Sequence, residues 1–389
     1  MISFDEALAL VAEAAEPLGT EIIRLREAHG RVLAKPVTAL VDSPPCDVSA
    51  MDGYAVREAD LPGRLRVAGE SLPGRGHGAP LEAGQCVRIF TGAPVPAGAD
   101  RVVIQEEVQR EGDSAHFERP GQARHVRARG SDFASGAILL EPGRRLDPRA
   151  LVAAAGADLA QVEVWRRPRL ALLATGDELV EPGSGLATAG AIPDSISFGL
   201  AAFAEDWGAQ VVARSRLADD LPSMEKAAAD ALAGADLVVV TGGASVGERD
   251  HAKAMFAPAK LELVFSKVAI KPGKPVWLGR AGKALVVGLP GNPNSALVTA
   301  RLLLAPLLAG LTGRAPVLAW RRAQLTTRLP ATGGRETFYR AASVGDGVKP
   351  LPNQDSGAQS TLAGADLLIR RAAGAPAAEA GEEVEVIDF

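Results

Sequence analysis

The chain has 389 residues, 47% hydrophobic and 23% charged, an ordinary globular composition with room for two or three cores. A net charge of −5 excludes a global basic field of the kind that gathers nucleic acid. Two cysteines, Cys46 and Cys86, and five scattered histidines exclude a disulfide framework and a Cys/His metal spacing. Asp5, Glu6, Glu13 and Glu16 are wrong for a signal peptide. The most apolar run, Leu302–Leu311, carries Pro306 and reads as too short to span a bilayer, so a soluble, cytoplasmic protein is expected.

In chain order, Ser3-Phe4-Asp5-Glu6 is a capping box that opens a helix to about Ala15, and a second helix is predicted over Glu27–Ala34. Residues 42–57 contain Ser49-Ala50-Met51-Asp52-Gly53-Tyr54-Ala55, a carboxylate directly before a glycine, which taken alone is a turn. From Leu61 to Gly136 short alternating runs (Leu65–Ala68, Cys86–Phe90, Arg101–Val108) predict a small barrel or sandwich. Thr91 follows one of these strands, and Asp132 sits among arginines; taken alone these are a strand end and a surface ion pair. Ala137–Trp165 is predicted to return to helix, starting at Leu146-Asp147-Pro148.

At Arg169 an α/β alternation begins: strand Leu170–Ala174, helix Ile196–Trp207, strand Gln210–Arg214, helix Leu221–Leu232, strand Asp236–Val240. Such alternation predicts a parallel sheet with helices on both faces. Thr175-Gly176-Asp177-Glu178 ends the first strand, and Asp219 follows the next. Thr241-Gly242-Gly243-Ala244-Ser245-Val246-Gly247 follows the Asp236–Val240 strand, with Asp250 at the start of the next helix. Glycines there let backbone N–H groups approach an anion, and the hydroxyls add donors. No Gly-Lys-Ser/Thr follows, so this is not a P-loop, nor is it the dinucleotide fingerprint. Lys267-Val268-Ala269-Ile270-Lys271-Pro272-Gly273-Lys274-Pro275 adds a basic turn; on a strand-like run Lys267 and Lys271 face one side. Gly288-Leu289-Pro290-Gly291-Asn292-Pro293-Asn294-Ser295 repeats the strand, loop and helix device. Loops of this kind on one sheet make a ligand crevice at the carboxyl ends of the strands. Residues 313–389 read as a small β domain with strands at Ala323–Leu329, Arg335–Val344, Leu367–Arg370 and Glu383–Ile387.

These strings, in this order and across nearly the whole chain, resemble the molybdopterin-binding fold and, within it, the molybdopterin molybdenumtransferase family (MoeA and the E domain of gephyrin). The resemblance implies a multidomain α/β protein. Residues 1–46 with 137–168 would form a helical, dimerising N-terminal domain, 47–136 an inserted β-rich domain, 169–312 the three-layer molybdopterin-binding domain and 313–389 the C-terminal β domain. It implies catalytic roles for Asp52, Thr91, Asp132, Glu178, Asp219 and Asp250, with Asp52 serving the partner subunit. Substrate contacts fall on Thr175, Gly242, Gly243, Ser245, Gly247, Lys267, Lys271, Lys274, Pro290, Pro293, Arg340 and Ser356. Glu178, Asp219 and Asp250 would hold Mg2+ or another divalent cation beside the phosphates. The implied reaction, in molybdenum cofactor biosynthesis, places molybdenum from molybdate on the dithiolene of adenylylated molybdopterin, with hydrolysis of the pyrophosphate and release of AMP. The protein would be a cytoplasmic homodimer, with other molybdenum cofactor biosynthesis proteins as further partners. Two positions depart from the family: Ser131 stands where Glu is usual, and Ile196 where Asn is usual. An adenylyltransferase that makes the adenylylated pterin, a gephyrin-like scaffold and a paralogue of altered metal specificity are the alternatives.

Overall fold

Residues 1–187, 189–242 and 251–389 are described by the computed structural model, and they divide into Ile22–Glu163 and a larger unit of Met1–Glu21 with Val164–Phe389. The architecture is multidomain α/β, as the pattern predicts.

The larger unit is built on a six-stranded sheet in the order Gln210–Leu217, Arg169–Thr175, Leu237–Thr241, Ala284–Leu289, Trp277–Ala281, Glu262–Ser266. The first four strands run parallel, and the last two are added antiparallel. Alternate side chains of each strand go to opposite faces. Leu170, Leu172, Val239 and Val287 pack with Leu200 and Leu302 in one core. Ala171, Leu173, Val238, Val240 and Val286 pack with Met224 and Ala228 of the Leu221–Gly234 helix in another. Both faces are therefore covered, which is why the strands read as unbroken apolar runs. Each fully buried Val or Leu contributes about 1.5–3 kcal/mol.

The helical run Pro293–Leu311 spans 19 residues with a mean hydropathy of 1.5, long and apolar enough to cross a membrane, yet 89% of it is buried inside the unit. The short apolar run expected from sequence is thus part of a longer core helix. Pro306, which has no N–H to give, follows directly on a π-helical turn at Ala300–Leu304. The Phe4–Ala14 helix has the expected capping box: Ser3 Oγ accepts from Glu6 N at 3.2 Å, and Glu6 Oε2 accepts from Ser3 N at 2.7 Å. Its Phe4, Ala7 and Val11 join the core of Leu172 and Leu308.

The C-terminal strands Arg321–Leu325, Glu336–Val344, Gly347–Pro350, Leu367–Arg371 and Glu383–Asp388 form a barrel-like sheet, because Glu336–Val344 pairs with both Gly347–Pro350 and Leu367–Arg371. Ile270–Lys271 pairs in parallel with Glu336 and Thr337, which ties the basic turn to these strands.

The smaller unit holds another six-stranded sheet, Arg101–Ile104, Gly53–Val56, Gln85–Ile89, Gly63–Ser71, Ser114–Phe117, Gln109–Glu111. Two helical expectations fail here. Glu27–Ala34 is not a helix; only Leu25–Glu27 forms a 3-10 turn. Its backbone bonds go to a distant segment instead: Gly30 N donates to Leu146 O and Leu33 N to Arg144 O. In Ala137–Trp165 the helix is confined to Pro148–Gly156, capped by Asp147, while Ile138–Leu140 pairs with Val37–Thr38 and Gln161–Trp165 is a strand. Ladder bonds to remote partners have overridden the Ala-rich local pattern.

Candidate active site

Three parallel strands end together at Thr175, Thr241 and Leu289, and the loops that follow them enclose a crevice of about 570 Å³. The loops approach each other so closely that side chains are excluded. Gly242 has φ +86°, and a Cβ there would lie 2.4 Å from Thr175 O. The Thr175 hydroxyl donates to Thr241 O at 3.2 Å, so it serves to join two strand ends. Pro290, Gly291, Asn292 and Pro293 form the opposite wall. Sequence reasoning passed over Asn292, Ser195 and Gln359, which also line the crevice.

Glu178 and Asp219 both line this crevice. Of the neighbouring pair Asp219-Asp220, Asp220 is consumed as the cap of the Leu221–Gly234 helix, where it accepts from Ser223 N at 3.1 Å. The Ser223 hydrogen bonds hold the Asp220 carboxyl below its ordinary range. Asp219 N is fixed by Asp177 Oδ1 at 2.9 Å, which leads the Asp219 side chain to the crevice. Two carboxylates lining one crevice are a set that could hold Mg2+, which is usually bound by one or two carboxylates plus substrate phosphates. Among the described residues no group of three His, Cys, Asp or Glu side chains could hold a metal by itself. Gly243, Ser245, Gly247 and Asp250 lie outside the described residues. Ile196 lines the crevice and also an adjoining apolar hollow with Phe203, Leu297 and Leu362.

A second cavity, of about 440 Å³, lies beside the first and shares Pro275 with it. Lys271, Lys274, Arg335 and Arg340 line it, with Ser295 and Ser356 as hydroxyl donors and Asp355 as the one carboxylate. The basic turn is seated by Gly273, φ +105°, where a Cβ would fall 2.2 Å from Thr299 Cγ2 of the long helix. Arg340 is only 1% exposed; its Nη2 donates to Asp355 O at 3.2 Å, and its buried Nε has no hydrogen-bond partner among the described residues. Burial lowers the Arg340 pKa, but a guanidinium starts so high that it keeps its charge. Lys271, Lys274, Arg335 and Arg340 give this cavity a positive lining that can receive an anion.

Lys267 differs from expectation. It has φ +73° between the Glu262–Ser266 strand and Ile270–Lys271, so Lys267 and Lys271 do not share one regular strand. Lys271 lines the basic cavity and Lys267 does not.

Asp52, Thr91 and Asp132 belong to the smaller unit. Thr91 N and Oγ1 both donate to Asp52 Oδ1, at 2.8 and 3.1 Å. These bonds, the backbone one foremost, hold the Asp52 carboxyl below its ordinary range, and the Arg88 guanidinium assists. Arg88 donates to Gly53 O at 2.8 Å and to Gln105 Oε1 at 2.6 Å. Asp132 accepts from Ser43 Oγ at 3.5 Å, while Arg129, its expected type of ion-pair partner, binds Asp42.

Fold and cavities together define a multidomain α/β protein with a crevice at the carboxyl ends of its parallel strands and a basic cavity beside it. Three family descriptions match the chain: "MoeA N-terminal region (domain I and II)" over residues 2–157, "Probable molybdopterin binding domain" over 171–310 and "MoeA C-terminal region (domain IV)" over 322–389. A molybdopterin molybdenumtransferase of Haemophilus influenzae is 38% identical over 350 residues, 87% of this chain and 85% of the relative. One from Synechococcus elongatus is 34% identical over 99% of both chains. The crystal structure of a molybdopterin biosynthesis MoeA protein from Pyrococcus horikosii superposes with a TM-score of 0.85 at 29% identity, covering 100% of this chain and 99% of that one. The chain belongs to the molybdopterin molybdenumtransferase family.

Proposed function

We propose that this protein is a molybdopterin molybdenumtransferase, an enzyme of molybdenum cofactor biosynthesis that inserts molybdenum from molybdate into adenylylated molybdopterin. The observation that carries the reading is the pair of neighbouring cavities that share Pro275. The glycine and proline crevice suits the pyrophosphate linkage, and the cavity of Lys271, Lys274 and Arg340 suits molybdate. Glu178 and Asp219, joined by Asp250, are the carboxylates proposed to hold a divalent cation and to orient the attacking water. The cation, when bound, neutralises phosphate charge as the linkage opens and AMP leaves. The acceptor sulfurs belong to the pterin, so no thiolate of this chain is required. Cys86 is buried, with its thiol pushed up to about 12, which suits a packing role.

The reading includes a cytoplasmic homodimer in which Asp52, fixed by Thr91, serves the crevice of the partner copy, with Asp132 as a further catalytic residue. The reading also divides the chain into 1–46 with 137–168, 47–136, 169–312 and 313–389; the breaks between family matches near 158–170 and 311–321 support the boundaries at 168 and 312. The adenylyltransferase alternative is not favoured, because the matches include the N- and C-terminal modules as well as the α/β domain.

The test is AMP release by the purified protein from adenylylated molybdopterin. Release that requires both molybdate and a divalent cation is expected. Release without molybdate, or none with every component present, contradicts the reading. A monomeric mass in solution together with full activity would refute the dimer.

A further inference from the structure

The short segment Gln354–Gln359 borders both cavities. Gln354, Asp355 and Ser356 line the basic cavity, while Gln359 lines the crevice. None of these six residues is buried, so the loop has no core of its own. Within it, Asp355 Oδ1 accepts from Gly357 N at 2.8 Å.

Its anchor comes from the start of the long core helix. Asn294 is 0% exposed, and its Nδ2 donates to Asp355 O at 2.8 Å and to Ala358 O at 2.9 Å. Asn294 N donates to Ser356 O at 3.1 Å. Two carbonyl acceptors on one side fix the face that the amide nitrogen takes. Asn294 Oδ1 is buried with no hydrogen-bond partner among the described residues. An orphaned acceptor costs stability. An apolar residue would fill the space without that cost, so the amide is explained by what it holds rather than by packing. The carbonyl of Asp355 that it holds is the same one that receives Arg340 Nη2.

We infer that Asn294 is the positioning residue of the basic cavity: its amide sets the Gln354–Gln359 loop so that Ser356 and the Asp355-bound Arg340 face one oxyanion. The inference rests on the oxyanion reading of that cavity. Asn294 touches no ligand itself and acts through the loop.

Asn294→Leu keeps the branched outline of the side chain, with bulkier methyls, and removes both donors. Molybdate titrated by calorimetry is expected to bind about tenfold more weakly to the variant, the loss of one or two hydrogen bonds. The melting temperature should stay within a few degrees of wild type. Hydrogen exchange across 354–359 should quicken in the variant and slow in wild type on adding molybdate. In a double-mutant cycle with Ser356→Ala, the Asn294→Leu effect should shrink, because both act on one loop. Full additivity, or unchanged molybdate affinity in Asn294→Leu, overturns the inference. Should Asn294→Leu fail to fold, wild type decides: no molybdate-induced protection across 354–359 overturns it equally. Wild type that binds no molybdate removes the oxyanion reading itself, and the role of Asn294 falls with it.

Discussion

The two cavities of the larger unit are made in different ways. The crevice is mostly backbone, with loops after three parallel strands brought so close that Gly242 leaves no room for a Cβ against Thr175. The basic cavity is mostly side chain, with Lys271, Lys274, Arg335, Arg340, Gln354 and Ser356 among its lining residues. Backbone donors serve any phosphate at modest charge, whereas a buried guanidinium with flanking lysines selects for a compact, highly charged anion. The difference suits a site that must hold a nucleotide-like substrate and an oxyanion without confusing them.

Four experiments bear on that contrast, in falling order of expected effect. Arg340→Met should weaken molybdate binding on the order of 100-fold, since it removes charged hydrogen bonds in a buried place. AMP affinity in the crevice should change little, and a parallel loss of AMP binding would show that the cavities are one site. Gly242→Ala should do the reverse. Its positive φ and the contact with Thr175 O predict a loss of about 2 kcal/mol or more in chemical denaturation, with weaker AMP binding and molybdate binding retained. Lys271→Ala, at an exposed position, should weaken molybdate about three- to tenfold at low salt and progressively less at high salt. Salt-independent loss would mean that Lys271 acts as a buried group, against its exposure.

The smallest effect concerns Asp52, whose folded-state pKa is depressed by Thr91. A depressed pKa contributes stability above the ordinary aspartate range and loses it as the pH falls through the lowered value. Thr91→Val removes the hydroxyl donor but keeps the N–H. Carbon-13 titration should therefore show the Asp52 pKa rise part of the way to its ordinary value, and the acid loss should begin at higher pH. At neutral pH the variant lacks part of the stability that ionised Asp52 contributes in wild type, and the difference fades in acid. An unmoved Asp52 pKa would contradict the hydroxyl bond.

How much of this could be read beforehand follows the same contrast. The crevice strings announce themselves because close backbone approach demands glycine and proline at fixed places, and Thr175, Glu178, Asp219, Pro290 and Pro293 all line it as expected. The basic cavity is only half legible. Lys271, Lys274, Arg340 and Ser356 meet there, but through the pairing of Ile270–Lys271 with Glu336 and Thr337, which no local pattern announces. Lys267 looked equivalent to Lys271 and is not, because its left-handed φ breaks the strand between them. Asn294 gave no signal, since asparagine after proline in a turn is commonplace. The Glu27–Ala34 segment misled for a related reason: its hydrogen bonds run to residues 144–146, far along the chain.

The most direct test of the two-anion arrangement is a crystal soaked with tungstate and AMP together, read by anomalous scattering at the tungsten edge. Tungstate stands in for molybdate. The account predicts one tungsten peak among Lys271, Lys274 and Arg340, with the AMP phosphate in the crevice beside Gly242 and Pro290. Tungsten in the crevice, or AMP phosphate displacing it from the basic cavity, would contradict it.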